Sequence, residues 1–190
     1  RIAALRINGV KFSDAQAAMV SACIWENTGI MRQGKFQHMV DLDCSYLRID
    51  SMLPSIKIVL DPVKSGYCAL KRLVLTQCQL GLHGTRTVFV ALKNNVFLEE
   101  LVMNGNGCTD GVMPEIVATL KSSSCRLKLL NLASNGLTAD SMESFAVALE
   151  GHPCLREVQL NDNDIGDEGA DHLFGAIRDN GILSSLNLSY

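Results

Sequence analysis

Three stretches of this 190-residue chain carry residue types that do chemistry in other settings, and in each the spacing decides. Asp162-Asn163-Asp164-Ile165-Gly166-Asp167-Glu168 has the oxygen density of a calcium loop. Such a loop needs oxygen ligands at its first, third and fifth positions, glycine at the sixth and a glutamate at the twelfth. Counted from Asp162, the fifth position is Gly166 and the twelfth is Leu173, so the register fails. Gly105-Asn106-Gly107-Cys108-Thr109-Asp110-Gly111 has the glycines of a phosphate loop without its Lys-Ser/Thr ending or a G-x-G-x-x-G spacing. His38, His83, His152 and His172 fall far apart, and none stands in a nucleophile signature; His152 near Cys154 reads as loop, His83 and His172 as helix surface. Asn187-Leu188-Ser189 is a formal glycosylation acceptor placed in the middle of an expected strand. No catalytic residue, cofactor site or metal site is expected.

The seven cysteines (Cys23, Cys44, Cys68, Cys78, Cys108, Cys125 and Cys154) form no C-x-x-C pair and no close-spaced framework. Zinc and a disulfide scaffold are therefore poor readings, and buried thiols in a reducing compartment, cytoplasm or nucleus, are expected. Hydrophobic residues make up 47% and charged residues 19%, a balance that excludes intrinsic disorder. Seventeen basic against twenty acidic residues, with no run of like charge, argues against a polyanion-binding surface. No apolar stretch approaches the roughly 18 to 20 residues of a membrane helix.

Leucine supplies 26 of the 190 residues, and its spacing organises the chain. Leu70, Leu73, Leu75, Cys78 and Leu80 fit L-x-x-L-x-L-x-x-(N/C)-x-L. Further copies begin at Leu98, Leu127 and Leu155, and a half-copy at Leu183. The step is nearly constant at about 28 residues, within the range of one short structural repeat. Two looser copies precede them: Ile2, Leu5, Ile7, Val10, Phe12, and Gln37, Val40, Leu42, Ser45, Leu47. Their steps are longer, which places insertions around residues 26–36 and at Asp61-Pro62-Val63-Lys64-Ser65-Gly66, both read as surface loops.

Within a copy, L-x-L is period two and puts both leucines on one strand face. The Asn or Cys three residues on sits where the chain turns off the strand, where Asn can bond neighbouring backbone. The period then becomes helical: Val88, Ala91 and Leu92; Phe145, Ala148 and Leu149; Leu173, Ala176 and Ile177. Ser13-x-x-Gln16 reads as a capping box opening a helix that runs to about Trp25. Units that cannot bury their own cores must stack as a solenoid.

This pattern resembles the ribonuclease-inhibitor type of leucine-rich repeat, strictly from Leu70 to Leu188 and loosely before. The resemblance implies an α/β horseshoe with a parallel sheet on the concave face and helices on the convex face. Residues 1–190 then form a single domain of about six and a half repeats, cut at both ends and so a segment of a longer protein. The repeat type does not fix function, because it serves ribonuclease inhibitor, NOD-like receptors, tropomodulin-like actin regulators and the Ran GTPase-activating protein alike.

Side chains between the leucines face the hollow. The third positions run Ala4, Met39, Arg72, Glu100, Leu129, Glu157, Ser185, and the fifth run Arg6, Asp41, Val74, Val102, Asn131, Gln159, Asn187. The seventh run Asn8, Asp43, Thr76, Asn104, Ala133, Asn161, Ser189. Val74, Val102 and Leu129, with Ala133, read as an apolar centre rimmed by Arg6, Arg72, Asp41 and Asp43 on one side and by Glu100 and Glu157 on the other. That is the anatomy of a protein-binding patch. Only Arg6 and Arg72 are basic there, so direct nucleic-acid binding is not expected. The expected function is a non-enzymatic protein–protein interaction module, with no membrane role and an unidentified protein partner. The alternatives are a GTPase activator of the Ran type and a ligand-sensing or autoinhibitory segment of a NOD-like receptor.

Overall fold

The computed structural model describes residues 3–9, 13–28, 40–47, 54–65, 68–178 and 180–189. Strands and helices alternate: β1 (Ala4–Arg6), α1 (Asp14–Thr28), β2 (Asp41–Asp43), α2 (Pro54–Lys64), β3 (Arg72–Val74) and α3 (Gly81–Leu92). They continue as β4 (Glu100–Val102), α4 (Met113–Leu120), β5 (Leu129–Asn131), α5 (Ala139–Leu149), β6 (Glu157–Gln159), α6 (Gly166–Arg178) and β7 (Ser185–Asn187). All seven strands pair in parallel and in sequence order, the order that stacked strand-helix units generate. Between sheet and helices runs one continuous core, built from inward leucines of the strands and the helix residues Ile24, Val59, Phe89, Ile116, Phe145 and Leu173.

The strand-to-helix turn repeats as a hydrogen-bond ladder. Asn135 is 1% exposed; its Nδ2 donates to the main-chain oxygens of Met103 (3.1 Å) and Ala133 (3.0 Å). Its Oδ1 accepts from the amides of Asn106 (3.0 Å) and Cys108 (3.4 Å). Asn106 repeats this toward Leu75, Met103 and Cys78, and Asn163 toward Leu132, Leu160 and Asn135. Each asparagine therefore closes its own turn and bolts it to the preceding unit. Where cysteine replaces it, Cys78 Sγ donates to Cys44 O at 3.0 Å and supplies only part of the set.

Just before that turn the backbone enters the left-handed region, at Gly9, Tyr46, Gln77, Gly105, Ser134 and Asp162, with φ between 51° and 74°. The conformation aims each amide at the next unit, as in Gln77 N to Asn104 O (2.9 Å), Gly105 N to Ala133 O (3.0 Å) and Ser134 N to Asn161 O (2.9 Å). Glycine takes this shape without penalty, whereas a non-glycine stores roughly 1 kcal/mol or more. At Gly105 a Cβ would also stand 2.7 Å from Gln77 Cγ.

Three expectations are corrected. First, β2 pairs Asp41 with Ala4 and Arg72, and Asp43 with Arg6 and Val74. Asp41 and Asp43 therefore occupy the third and fifth columns rather than the fifth and seventh. Leu5 and Leu73 both pair with Leu42, not with Val40, so one step lengthens by two positions and the next shortens by two. The sequence pattern allowed this slip because a two-residue shift leaves every side chain on its own face. Met39, placed in the third column by the slipped register, lies outside the described residues, as do Gln37 and His38.

Second, Asp61 to Lys64 do not form a loop but complete α2, with Pro62 inside the helix. Ile56, Val59, Leu60 and Val63 are all buried at i, i+3, i+4, i+7, and this apolar stripe carries the helix past the proline. A proline near the C-terminus forfeits one intrahelical bond, and Ser65 then caps the end through Oγ to Pro62 O at 2.6 Å. Third, Val74 and Ala133 are each only 5% exposed and so are not an open apolar surface.

Other expectations match. Ser13 and Gln16 form the reciprocal capping box, Ser13 N to Gln16 Oε1 at 2.9 Å and Gln16 N to Ser13 Oγ at 3.3 Å, and α1 continues past Trp25 to Thr28. Of the expected loop at 26–36, residues 26–28 are helical and the remainder lies outside the described residues. The expected helices of residues 85–92, 141–149 and 167–177 lie within α3, α5 and α6.

The helix-to-strand turn contains one titrating exception. Asn95 and Asn180 stand there with Nδ2 bonded to the preceding unit (Val63 O, 3.1 Å; Leu149 O, 2.6 Å), and Oδ1 accepting two amides of the coming strand. His152 takes the same place, its Nδ1 accepting from Cys154 N (3.2 Å) and Leu155 N (2.9 Å). Its Nε2 is buried without a partner, and burial pushes the imidazole below its ordinary range. The folded state thus holds His152 neutral, while the unfolded chain takes up a proton near pH 6.5. Stability is expected to fall as pH drops from about 6.5 toward the lowered folded value. Substituting His152→Asn should remove that slope, which urea unfolding at pH 7.5 and pH 5.5 measures directly. An unchanged slope would contradict the assignment.

Candidate functional site: the concave sheet face

Strand register carries the third and fifth columns across the sheet without a slip: Ala4–Asp41–Arg72–Glu100–Leu129–Glu157–Ser185 beside Arg6–Asp43–Val74–Val102–Asn131–Gln159–Asn187. Neighbours within a column are one strand apart, about 4.8 Å, so charges of opposite sign meet. Arg72 Nη1 lies 3.2 Å from Asp41 Oδ1, and its Nε lies 3.1 Å from Glu100 Oε2, a clamp over β2, β3 and β4. All three side chains are partly solvated, so the clamp orients charge more than it stabilises the fold.

Asp43 is held differently. It accepts from Ser45 Oγ (2.6 Å) and Ser45 N (3.0 Å), and the Asn8 amide, with its nitrogen turned toward β2, reaches its carboxylate at 3.3 Å. Burial acts to raise its pKa, but the Ser45 bonds, Asn8 and the charge of Arg72 outweigh it and hold the carboxyl below its ordinary range. Toward β7 the face is an amide chain: Asn131 Nδ2 to Gln159 Oε1 (2.6 Å), and Gln159 Nε2 to Glu157 Oε1 (2.6 Å). Arg6 is exposed.

What remains open and apolar is narrower than the expected centre. Val102 and Leu129 are half-buried, whereas Val74 is covered. Leu129 sits in register between Glu100 and Glu157, an aliphatic side chain bracketed by two carboxylates. Such a bracket suits the methylene stem and charged head of a partner lysine or arginine.

The turn ridge beside the sheet face adds a residue that the columns do not contain. Tyr46 holds the left-handed position of the second unit (φ 60°), is 52% exposed, and donates its amide to Thr76 O at 2.7 Å. An exposed tyrosine at this turn presents a large amphipathic ring to solvent beside the sheet face. Beside it in the same ladder Gly9 has open space, so one flank of Tyr46 carries no neighbouring side chain from that position. Tyr46 is the eighth position of its unit, beside Gly9, Gln77, Gly105, Ser134 and Asp162, and so lies outside the third, fifth and seventh columns in either register.

Along the sheet edge Glu99 receives Lys128 (2.6 Å) and Lys71 (3.1 Å), which hold its carboxyl below the ordinary range. Asp162 lies on the turn ridge, where Ser134 Oγ (3.3 Å) and Asn161 Nδ2 (2.8 Å) contact it. Among the described residues no cluster of three His, Cys, Asp or Glu is arranged to hold a metal ion, and no helix is long and apolar enough to cross a membrane. No disulfide forms among the described residues, which include all seven cysteines; burial pushes the Cys78 thiol up to about 11 and Cys108 up to about 12, far from a reactive thiolate.

Sheet topology, the Asn/Cys turn ladder and the outer helices define a leucine-rich-repeat solenoid. A family model described as Leucine Rich repeat matches residues 123–146 and 151–174. The chain is 28% identical to human NACHT, LRR and PYD domains-containing protein 5 over 70% of its own length and 11% of that protein. It is 30% identical to the ribonuclease inhibitor of Sus scrofa over 60% of its length and 25% of the inhibitor. The chain therefore spans between about a tenth and a quarter of the length of these curated relatives. A solved structure titled Leiomodin-1 Actin-Binding Site 2 superposes with a TM-score of 0.61 at 16% identity, over 74% of this chain and 80% of that one, a likeness of fold.

Proposed function

We propose that the chain is a non-enzymatic interaction module whose concave face holds a protein partner through Val102, Leu129, Glu100 and Glu157, with Arg72 and Tyr46 at one flank. The observation that carries this reading is Leu129, half-buried and bracketed by Glu100 and Glu157 on an otherwise hydrogen-bonded polar sheet. The remaining expected residues, Arg6, Asp41, Asp43 and the covered Val74, act here as frame. Asp41 and Asp43 hold the Arg72 side, and Val74 is buried within the sheet face. Thiol chemistry is not needed for this role, and seven cysteines without a disulfide suit the cytoplasm or nucleus.

The experiment is affinity capture from cell extract with the purified chain, beside Tyr46→Ala and Leu129→Arg, with proteins identified by mass spectrometry. A partner held by the wild type and reduced by both substitutions is expected. Identical captured sets from all three would sink the concave-face reading. A second reading follows from the relatives: 28% identity to a NACHT, LRR and PYD domains-containing protein fits the repeat portion of a multidomain chain. In that case the same face would hold another domain of its parent chain.

A further inference from the structure

On the opposite side of the solenoid, α2 and α3 leave a groove of about 460 Å³. Its floor is Leu60 and Ala91, with Val90 standing 53% exposed at its edge. The walls carry Lys57, Asp61 and Lys64 from α2, and His83, Arg86 and Thr87 from α3. Arg86 is already engaged: its Nε lies 2.7 Å from Glu115 and its Nη2 donates to Gly111 O at 3.0 Å, which ties α3 to α4. Lys57 and Lys64 are exposed, and neither forms an ion pair with a carboxylate among the described residues. Against Asp61 they leave a local excess of positive charge on a chain whose net charge is −3.

Geometry narrows what fits. Lys57 and Lys64 are seven residues apart, two helical turns or about 10.5 Å along α2. Carboxylates seven residues apart on a second helix repeat at the same distance. A groove between two neighbouring helices is the shape into which the ridge of a third helix packs. We propose that this convex groove docks an acidic helical segment of a protein partner, its carboxylates meeting Lys57 and Lys64 and an apolar side chain covering Val90. Charge complementarity selects the partner, and the exposed valine makes the contact more than an ion pair. This surface is independent of the concave face.

The probe is a fluorescein-labelled, alanine-rich helical peptide of about 18 residues. It carries two glutamates seven positions apart with leucines between them, and its control has lysines in their place. Fluorescence anisotropy with the full chain should show saturable binding of the acidic peptide only, weakening as salt rises. Lys57→Glu with Lys64→Glu should weaken it at least about fivefold, and the milder Lys57→Gln with Lys64→Gln should do so in part. Leu129→Arg should leave it unchanged. No saturable binding, equal binding of both peptides, or full binding by either lysine double variant would overturn the proposal. The glutamine variant keeps the test valid if the charge reversal disturbs folding.

Discussion

Asn135→Ala is expected to cost about 2 to 4 kcal/mol of stability, although no apolar group leaves the core. The residue is the midpoint of the turn ladder and is 1% exposed. Removing its amide strands the N–H groups of Asn106 and Cys108, where water has little access, while the carbonyls of Met103 and Ala133 lose one donor each and keep Asn106 Nδ2 and Gly105 N. Each stranded buried group costs about 1 to 3 kcal/mol, and partial relaxation keeps the sum below the maximum. The damage spans two units because the asparagine closes one turn and anchors another. Asn135→Cys should lose less, since Cys78 at the equivalent place still donates from its sulfur to Cys44 O. Urea unfolding followed by far-ultraviolet circular dichroism measures both. A loss under about 1 kcal/mol for the alanine variant would mean that the ladder adds little.

Leu129→Arg should weaken partner binding by roughly 30-fold or more, the effect of removing a contact worth about 2 kcal/mol at a hot spot. The new guanidinium would lie between Glu100 and Glu157, the arrangement Arg72 already adopts between Asp41 and Glu100 in the same column. The fold should therefore tolerate it, with stability changing by about 0.5 kcal/mol or less, as is typical of surface sites. Binding fails for two reasons: the aliphatic contact is lost, and the carboxylates that would receive a basic partner group are occupied. A glutamate at this place would be a poorer test, because three like charges in register destabilise the sheet. Val74, at first sight an equal choice, is covered, and a charge there would confound folding with binding.

The repeat was legible because it is redundant. From Leu70 onward every full unit carries its own leucines and its own Asn or Cys, so each confirms the register of the next. Before Leu70 that redundancy ends: Leu47 stands where the turn residue belongs, and only the period-two pattern remains, which cannot distinguish a two-residue slip. This single ambiguity displaced Asp41 and Asp43 by one column, while Tyr46 was missed because it stands on the turn ridge rather than in the strand columns. Pro62 misled for another reason, since a local breaker signal yields to the burial of Ile56, Val59, Leu60 and Val63 on one face. The concave face was legible as a roster and not as a surface. Strand periodicity says which side chains face the hollow, but the burial of Val74 and the charge clamp of Arg72 depend on neighbours a whole repeat away in the chain. The α2–α3 groove has no signature in either helix alone.

The most direct test of the central claim is isothermal titration of the captured partner against three forms of the chain: wild type, Leu129→Arg, and Lys57→Glu with Lys64→Glu. Binding by the wild type, a loss of roughly 30-fold in Leu129→Arg at unchanged unfolding midpoint, and unchanged affinity in the lysine variant would establish the concave face as the site. Equal affinity for wild type and folded Leu129→Arg would contradict it.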